Sequence, residues 1–329
     1  MPVRYIPLIK AKAGEIVALD NLSANVAQRT FPLIHIGENI AASFSNQLSR
    51  AWQQPIAVDG SFNFRHARSV AAYQNLVNSL RAQGTPAIPS IGYADPPAML
   101  AAASALKNQD GIALKVAAAD IASVAGWVVQ IGWSPSEVDL VVDLKHVSSF
   151  DVATFGGYVA GLFQQVAPAM AQFRSVTLAS GAAPKDHGSL NYGINLVNRT
   201  DWDLWSIVHS RVPFELDYGD YCTGHPDLTE PPGPAMASAT VSARYTLDTN
   251  WLIIKGRSTS GQYGSPMANQ YRSHAQQIMG YAGFGGLPNC WADGRVQLAA
   301  AGTAGTSSRQ KWSEIAANRH ISLVVDRLP

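Results

Sequence analysis

The feature that most constrains this chain is a rhythm. Short apolar runs recur along its first two thirds, each followed by a stretch with helical spacing or small helix-forming residues. Repeated βα units around a parallel sheet read this way, because strands buried on both faces are continuously apolar. The runs are Tyr5–Lys10, Pro32–Ile36, Pro55–Asp59, Ala87–Tyr93, Gly111–Ala117, Asp139–His146, Ser175–Ala179 and Pro213–Tyr218. Between them the spacing predicts helices over Glu15–Ala27, Asn39–Trp52, Phe64–Gln83, Pro96–Asn108, Ala118–Ile131, Asp151–Ala171 and Asp201–Arg211. Asp95, Asp151 and Asp201 stand where N-caps are expected. Eight strands joined by seven crossovers fit a closed (β/α)8 barrel of the TIM type, with an open doubly wound sheet as the alternative.

After the eighth run the style changes. The segment TEPPGP at 229–234 can continue neither a helix nor a central strand, which divides the chain into a barrel core, 1–228, and an extension packed on it, 229–329. In the extension, Ala239–Thr246 and Trp251–Lys255 read as a β-hairpin and Asn269–Met279 as a helix. Residues 280–311, rich in Gly, Ala, Thr and Ser, read as a lid over the barrel mouth or as a surface loop.

Composition limits the function classes. Of 329 residues, 47% are hydrophobic, and 24 Lys and Arg are balanced by 23 Asp and Glu for a net charge of +1. That balance disfavours nucleic acid as a partner, since a nonspecific coat needs a basic face to displace counterions. Cys222 and Cys290 are too few for a disulfide framework, which points to a reducing compartment. No apolar run approaches the ~18 residues of a membrane span and the N-terminus lacks a signal-peptide core, so a cytoplasmic protein with no membrane partner is expected.

Charges inside buried strands are tolerated at the carboxyl ends, where the active sites of barrels are built. Lys10, His35, Asp59, Lys115, Asp143, Lys145, Asp217 and Asp220 all fall late in their runs or just after them. Alternation puts Asp143 and Lys145 on the same side of one strand. Structural Lys–Asp pairs also occur in barrel interiors, so the convergence says more than any one member. Three lysines and four aspartates at one mouth suit an anionic small molecule such as a phosphate ester, bound directly or with a divalent cation. The run Lys255–Gly261 (KGRSTSG), between a predicted strand and helix, offers amides and hydroxyls for phosphate, although it lacks the Walker order. There is neither a G-x-S-x-G elbow nor an H-E-x-x-H pair.

The chain also resembles the phage T4-type beta proteins, a family found in phages and bacteria. The resemblance is carried by YIPLIK at 5–10 with Glu15, Ala18 and Leu19, by PLIHI at 32–36, and by Asp59 and Asp143 at strand ends. Asp217 and Tyr218, Arg244 and Tyr245 with Trp251, Lys255 and Gly256, and His320 in a terminal Arg-His-Ile extend it over nearly the whole length. His35 stands where the family is expected to carry an acidic residue. The resemblance implies the barrel and a setting in phage and host conflict.

Taken together, the expected function is binding of a phosphate-bearing molecule or nucleotide at the mouth, with its hydrolysis as the further step. Lys10, His35, Lys115, Lys145, Tyr218, Arg244, Lys255, Arg257 and His320 are the ligand-binding candidates. Asp59, Asp143, Asp217 and Asp220 are the candidates for general base or cation ligand; the identity of any metal or cofactor stays open. The rival reading is a non-catalytic protein-interaction or assembly component that uses the hairpin and the Gly/Ala-rich tail.

Overall fold

The computed structural model describes residues 3–229, 240–287, 290–303 and 305–329. Eight parallel strands close into a barrel: β1 (Tyr5–Lys10), β2 (Leu33–His35), β3 (Ile56–Asp59), β4 (Ala87–Gly92), β5 (Ile112–Val116), β6 (Val138–His146), β7 (Ser175–Gly181) and, in the eighth position, β9 (Asp217–Asp220). Between β7 and β9 the chain makes β8 (Gly193–Asn198), which lies outside the barrel. With β10 (Ser242–Thr246) and β11 (Asn250–Lys255) it forms an antiparallel sheet in the order β10-β11-β8.

The expected strands are present except the last. Pro213–Tyr218 was to be the eighth, but pairing starts where Tyr218 N donates to Arg4 O at 3.1 Å, and the strand runs on to Asp220. Residues 211–216 carry no strand. The expected hairpin is β10 and β11; Ala239 and most of the 229–234 breaker lie outside the described residues.

Several expected helices are broken. Phe64–Gln83 is Ser61–Ala67 and Ala71–Ala82, parted at Arg68, whose φ of 52° ends the first. Glu15–Ala27 is Ala13–Asp20 and Ala24–Gln28, and Asp151–Ala171 is Val152–Gln165 and Ala167–Met170. Asp151 does cap its helix, accepting from Thr154 N at 2.9 Å. Asp95 and Asp201 do not cap theirs. Asp95 accepts from Gly92 N at 2.7 Å, and Asp201 lies within the Thr200–His209 helix and accepts from Tyr218 Oη at 2.7 Å.

The segment expected as a lid contains a helix. Trp291–Ala301 buries Ala292, Val296 and Ala299 with Tyr245, Leu252, Ile254 and Tyr271 in a second core beside the barrel. The chain then enters a helix not legible in the sequence, Arg309–Arg327, whose residues from Trp312 to Val325 are buried apart from Ser313. This helix packs on β1 and the Ala13–Asp20 helix on one side and on β10 on the other. Burial of its Ile315, Ile321, Leu323, Val324 and Val325 is worth about 1.5–3 kcal/mol each. Its polar residues are buried with partners. Asn318 donates to Ala18 O at 3.0 Å, and Arg319 pairs with Asp293 at 3.1 Å.

The two parts of the chain are interleaved. β8 leaves the first part to join the second sheet, and the last helix returns to the barrel.

Candidate functional site

Strand alternation decides which charges reach the barrel interior. Ile6 and Leu8, Leu33, Ala57, Ala113, Val141 and Ala179 form the inner apolar cluster. Two residues further along the same faces stand Lys10, His35, Asp59, Lys115 and Asp143. The inner layer at the carboxyl end is thus polar. Lys10, His35 and Asp59 are in register on adjacent strands, and Tyr221 closes the layer from β9's end, its ring stacked 6.1 Å from His35.

Asp59 is the hub. Its Oδ1 accepts from Ser61 N at 2.9 Å and from Ser61 Oγ at 2.6 Å, and its Oδ2 stands 2.8 Å from His35 Nδ1 and is salt-bridged to Lys115. Burial opposes its ionisation, but Lys115 and His35 more than offset that and hold the carboxyl well below its usual range. Ser61 Oγ also reaches Asp95, so a second carboxylate supports the hub from β4's end.

Asp143 is the second centre. It accepts from Lys145 Nζ at 2.5 Å, Lys145 N at 3.0 Å and Tyr221 Oη at 2.6 Å. Lys145 has a φ of 59°, and pairing with β7 slips between Asp143 and His146, a bulge that turns the lysine back over its own aspartate. Burial raises Asp143, yet Lys145 and Lys115 bring it below its ordinary value. The expected proximity of Asp143 and Lys145 is met.

Beside this layer lies a cavity of about 370 Å³ lined by Lys10, Lys12, His35, Glu38, Asn39 and Phe62, among others. Lys10 Nζ also donates to Leu228 O at 3.4 Å. At the rim the rings of His146 and His225 lie 4.5 Å apart. Both are pushed below their ordinary values by burial first, and His225 further by His146, Lys185 and Lys10.

Other sequence candidates stand elsewhere. Asp217 is at the amino end of β9, because the strand begins there; it holds Arg4 by the backbone N at 2.8 Å and the guanidinium at 2.9 Å. Tyr218 and Asp220 share the outward face of β9 and are sealed under the last helix with His320. Arg244 donates to Thr223 O and to His187 Nε2 at 3.0 Å. Lys255 is bound to the carbonyls of Gly188 and Leu190 at 3.1 and 2.8 Å, and the Arg257 guanidinium lies 5.2 Å over the Tyr192 ring. In the 255–261 run Ser258 and Ser260 contact each other, and the next helix starts only at Met267. The four aspartates therefore do not converge. Among the described residues no three His, Cys, Asp or Glu side chains form a group able to hold a metal ion.

Sequence reasoning passed over Ser61, Asp95, Phe62 and the cavity-lining Lys12, Glu38 and Asn39. Ser61 follows Asp59 by two positions and Tyr221 follows the inward Gly219 by two, spacings that carried the signal.

The fold and mouth define a TIM-type barrel protein with a charged, cavity-bearing carboxyl end, extended by a second small sheet. The chain belongs to the Beta protein family, whose model matches residues 5–326. No curated protein matches it. None of its helices among the described residues is long and apolar enough to cross a membrane.

Proposed function

We propose that this protein binds a small anionic molecule of the phosphate-ester class at the barrel mouth. The reading rests on one observation: Lys10, Lys115 and Lys145 gather at the inner layer around Asp59 and Asp143, beside a cavity of about 370 Å³. Each aspartate is already engaged by a lysine, so the arrangement favours binding over a carboxylate-held cation. Hydrolysis is the further step of the same reading, with His35 as the base best placed beside the cavity. Such a binder would act in the cytoplasm, and the phage–host setting follows from the family resemblance alone. The test is to denature purified protein, analyse released small molecules by mass spectrometry, and melt the intact protein with inorganic phosphate. A released phosphate compound, or a phosphate-dependent rise in Tm, supports the reading. Absence of both overturns it.

A second reading, an interaction or assembly component, has its own observation. β8 is an edge strand, and Tyr192, Ile194 and Leu196 on and beside it are 67%, 46% and 50% exposed. The hairpin expected to serve this role is instead largely buried, with Trp251, Leu252, Ile253 and Ile254 inside. Light scattering on wild type and Leu196→Lys tests it. A self-associated species dispersed by the lysine supports an edge-mediated assembly, and monomer in both counts against self-assembly through this strand.

A further inference from the structure

Asp59 fixes what His35 offers to the cavity. An ionised carboxylate only accepts hydrogen bonds, and Asp59 Oδ2 faces His35 Nδ1 at 2.8 Å, so the ring proton belongs on Nδ1. Burial and the nearby Lys115 charge push His35 below its ordinary value, so at neutral pH the ring is uncharged and Nε2 carries a lone pair. Neither ring nitrogen makes a well-aligned hydrogen bond, but Nδ1 has the Asp59 carboxylate as its close ionic neighbour, whereas Nε2 is buried with no partner at all in a residue that lines the cavity. A buried acceptor left unpaired is unfavourable. Bare phosphate oxygens would repel it, whereas a hydroxyl would satisfy it. The same cavity offers Phe62 as an apolar wall and Asn39 and Glu38 as further polar groups, a lining that suits a molecule with C–H faces and several hydroxyls.

We propose that the ligand of this mouth is a phosphorylated polyol, of the sugar-phosphate class, one of whose hydroxyls donates to His35 Nε2, and that His35 is the residue that selects it. The inference rests on the anion-binding reading above. It goes beyond that reading in stating that charge alone is not enough.

The test compares inorganic phosphate, methyl phosphate, glycerol phosphate, ribose phosphate and glucose phosphate by titration against the full-length protein, wild type and His35→Phe. At least one polyol phosphate is expected to bind wild type about tenfold tighter than methyl phosphate, equivalent to about 1.4 kcal/mol. In His35→Phe the methyl phosphate affinity is expected to persist and the polyol advantage to vanish. If methyl phosphate binds as tightly as all three polyol esters, or if the variant keeps the preference, the inference falls while anion binding stands. If no phosphate compound binds wild type, both fall. Should His35→Phe not fold, nitrogen-15 NMR of the wild-type histidines decides. An unprotonated Nε2 whose resonance moves on adding the preferred ester upholds the assignment, and a protonated or unresponsive Nε2 overturns it.

Discussion

His320 Nε2 lies 2.7 Å from Asp220 Oδ2, joining the last helix to the last barrel strand across a fully buried contact. Asp220 also accepts from Tyr5 Oη at 2.5 Å and Cys222 N at 2.7 Å and lies 2.8 Å from Tyr218 Oη, while His320 Nδ1 meets Thr246 Oγ1 at 3.1 Å. Burial works against the carboxylate, but His320 and Arg199 hold it below its ordinary value. Two residues picked out as ligand-binding or catalytic by their chemistry thus clamp the molecule together.

Removing one member should therefore be severe. Asp220→Ala leaves Arg199 buried without this partner and is expected to lose about 3–5 kcal/mol, a large fraction of the stability of a typical domain. Tyr5→Phe deletes one hydrogen bond and should lose about 1–3 kcal/mol. Urea unfolding measures both; a loss below about 1 kcal/mol for Asp220→Ala would contradict the clamp.

Stability should fall on mild acidification. His35, His146, His187, His209, His225 and His274 are all pushed below their ordinary value, burial being the first cause in each, and His187 to about 3. Groups with a depressed folded value bind fewer protons folded than unfolded, so their stabilisation is complete above about pH 6.5 and is lost as pH drops through that point toward the folded value. Thermal melts should show Tm falling from about pH 7 to 5, with a shallower slope in His187→Asn. A flat profile in the wild type would rule this out.

Asp59→Asn separates stability from binding at the mouth. Lys115, itself nearly buried, would lose its carboxylate, at a cost of about 3–5 kcal/mol. The same change removes a negative charge from the anion site, so inorganic phosphate should bind more tightly than to wild type. Calorimetry alongside urea unfolding reads the two effects, and weaker phosphate binding in a folded variant would place the anion elsewhere.

Gly219 keeps the barrel narrow. A Cβ there would stand 2.9 Å from Thr177 Cγ2 and 3.0 Å from Ala179 Cβ. Gly219→Val should lose about 1–3 kcal/mol by overpacking, and Gly219→Ala less; unfolding midpoints of the two variants check the order.

The barrel was legible because doubly buried strands leave apolar runs, and five residues of the mouth because a charge in such a strand survives only at its carboxyl end. Asp217 and Asp220 were misplaced by one boundary. In a strand of four residues, alternation cannot be phased until its first residue is known, and the actual start at Asp217 puts Asp220 outside while Gly219 and Tyr221 face in. β8 carries Gly193, Asn195 and Asn198, residue types that strands disfavour. The last helix hid for the opposite reason. Its polar residues break an apolar pattern, yet Asn318, Arg319 and His320 are buried against partners that only the tertiary fold supplies.

The detour of β8 sets an order on assembly. As the chain is synthesised, all eight barrel strands exist once Asp220 has been added, but the Gly193–Asn198 segment must wait for Asn250–Lys255 before it has a neighbour. Asp220 must wait longer still, for His320. A nascent chain can thus curl into a ring early but cannot lock it, with a lone sheet edge exposed and Asp220 still without its histidine. The final helix acts as the latch of the molecule, fastened last.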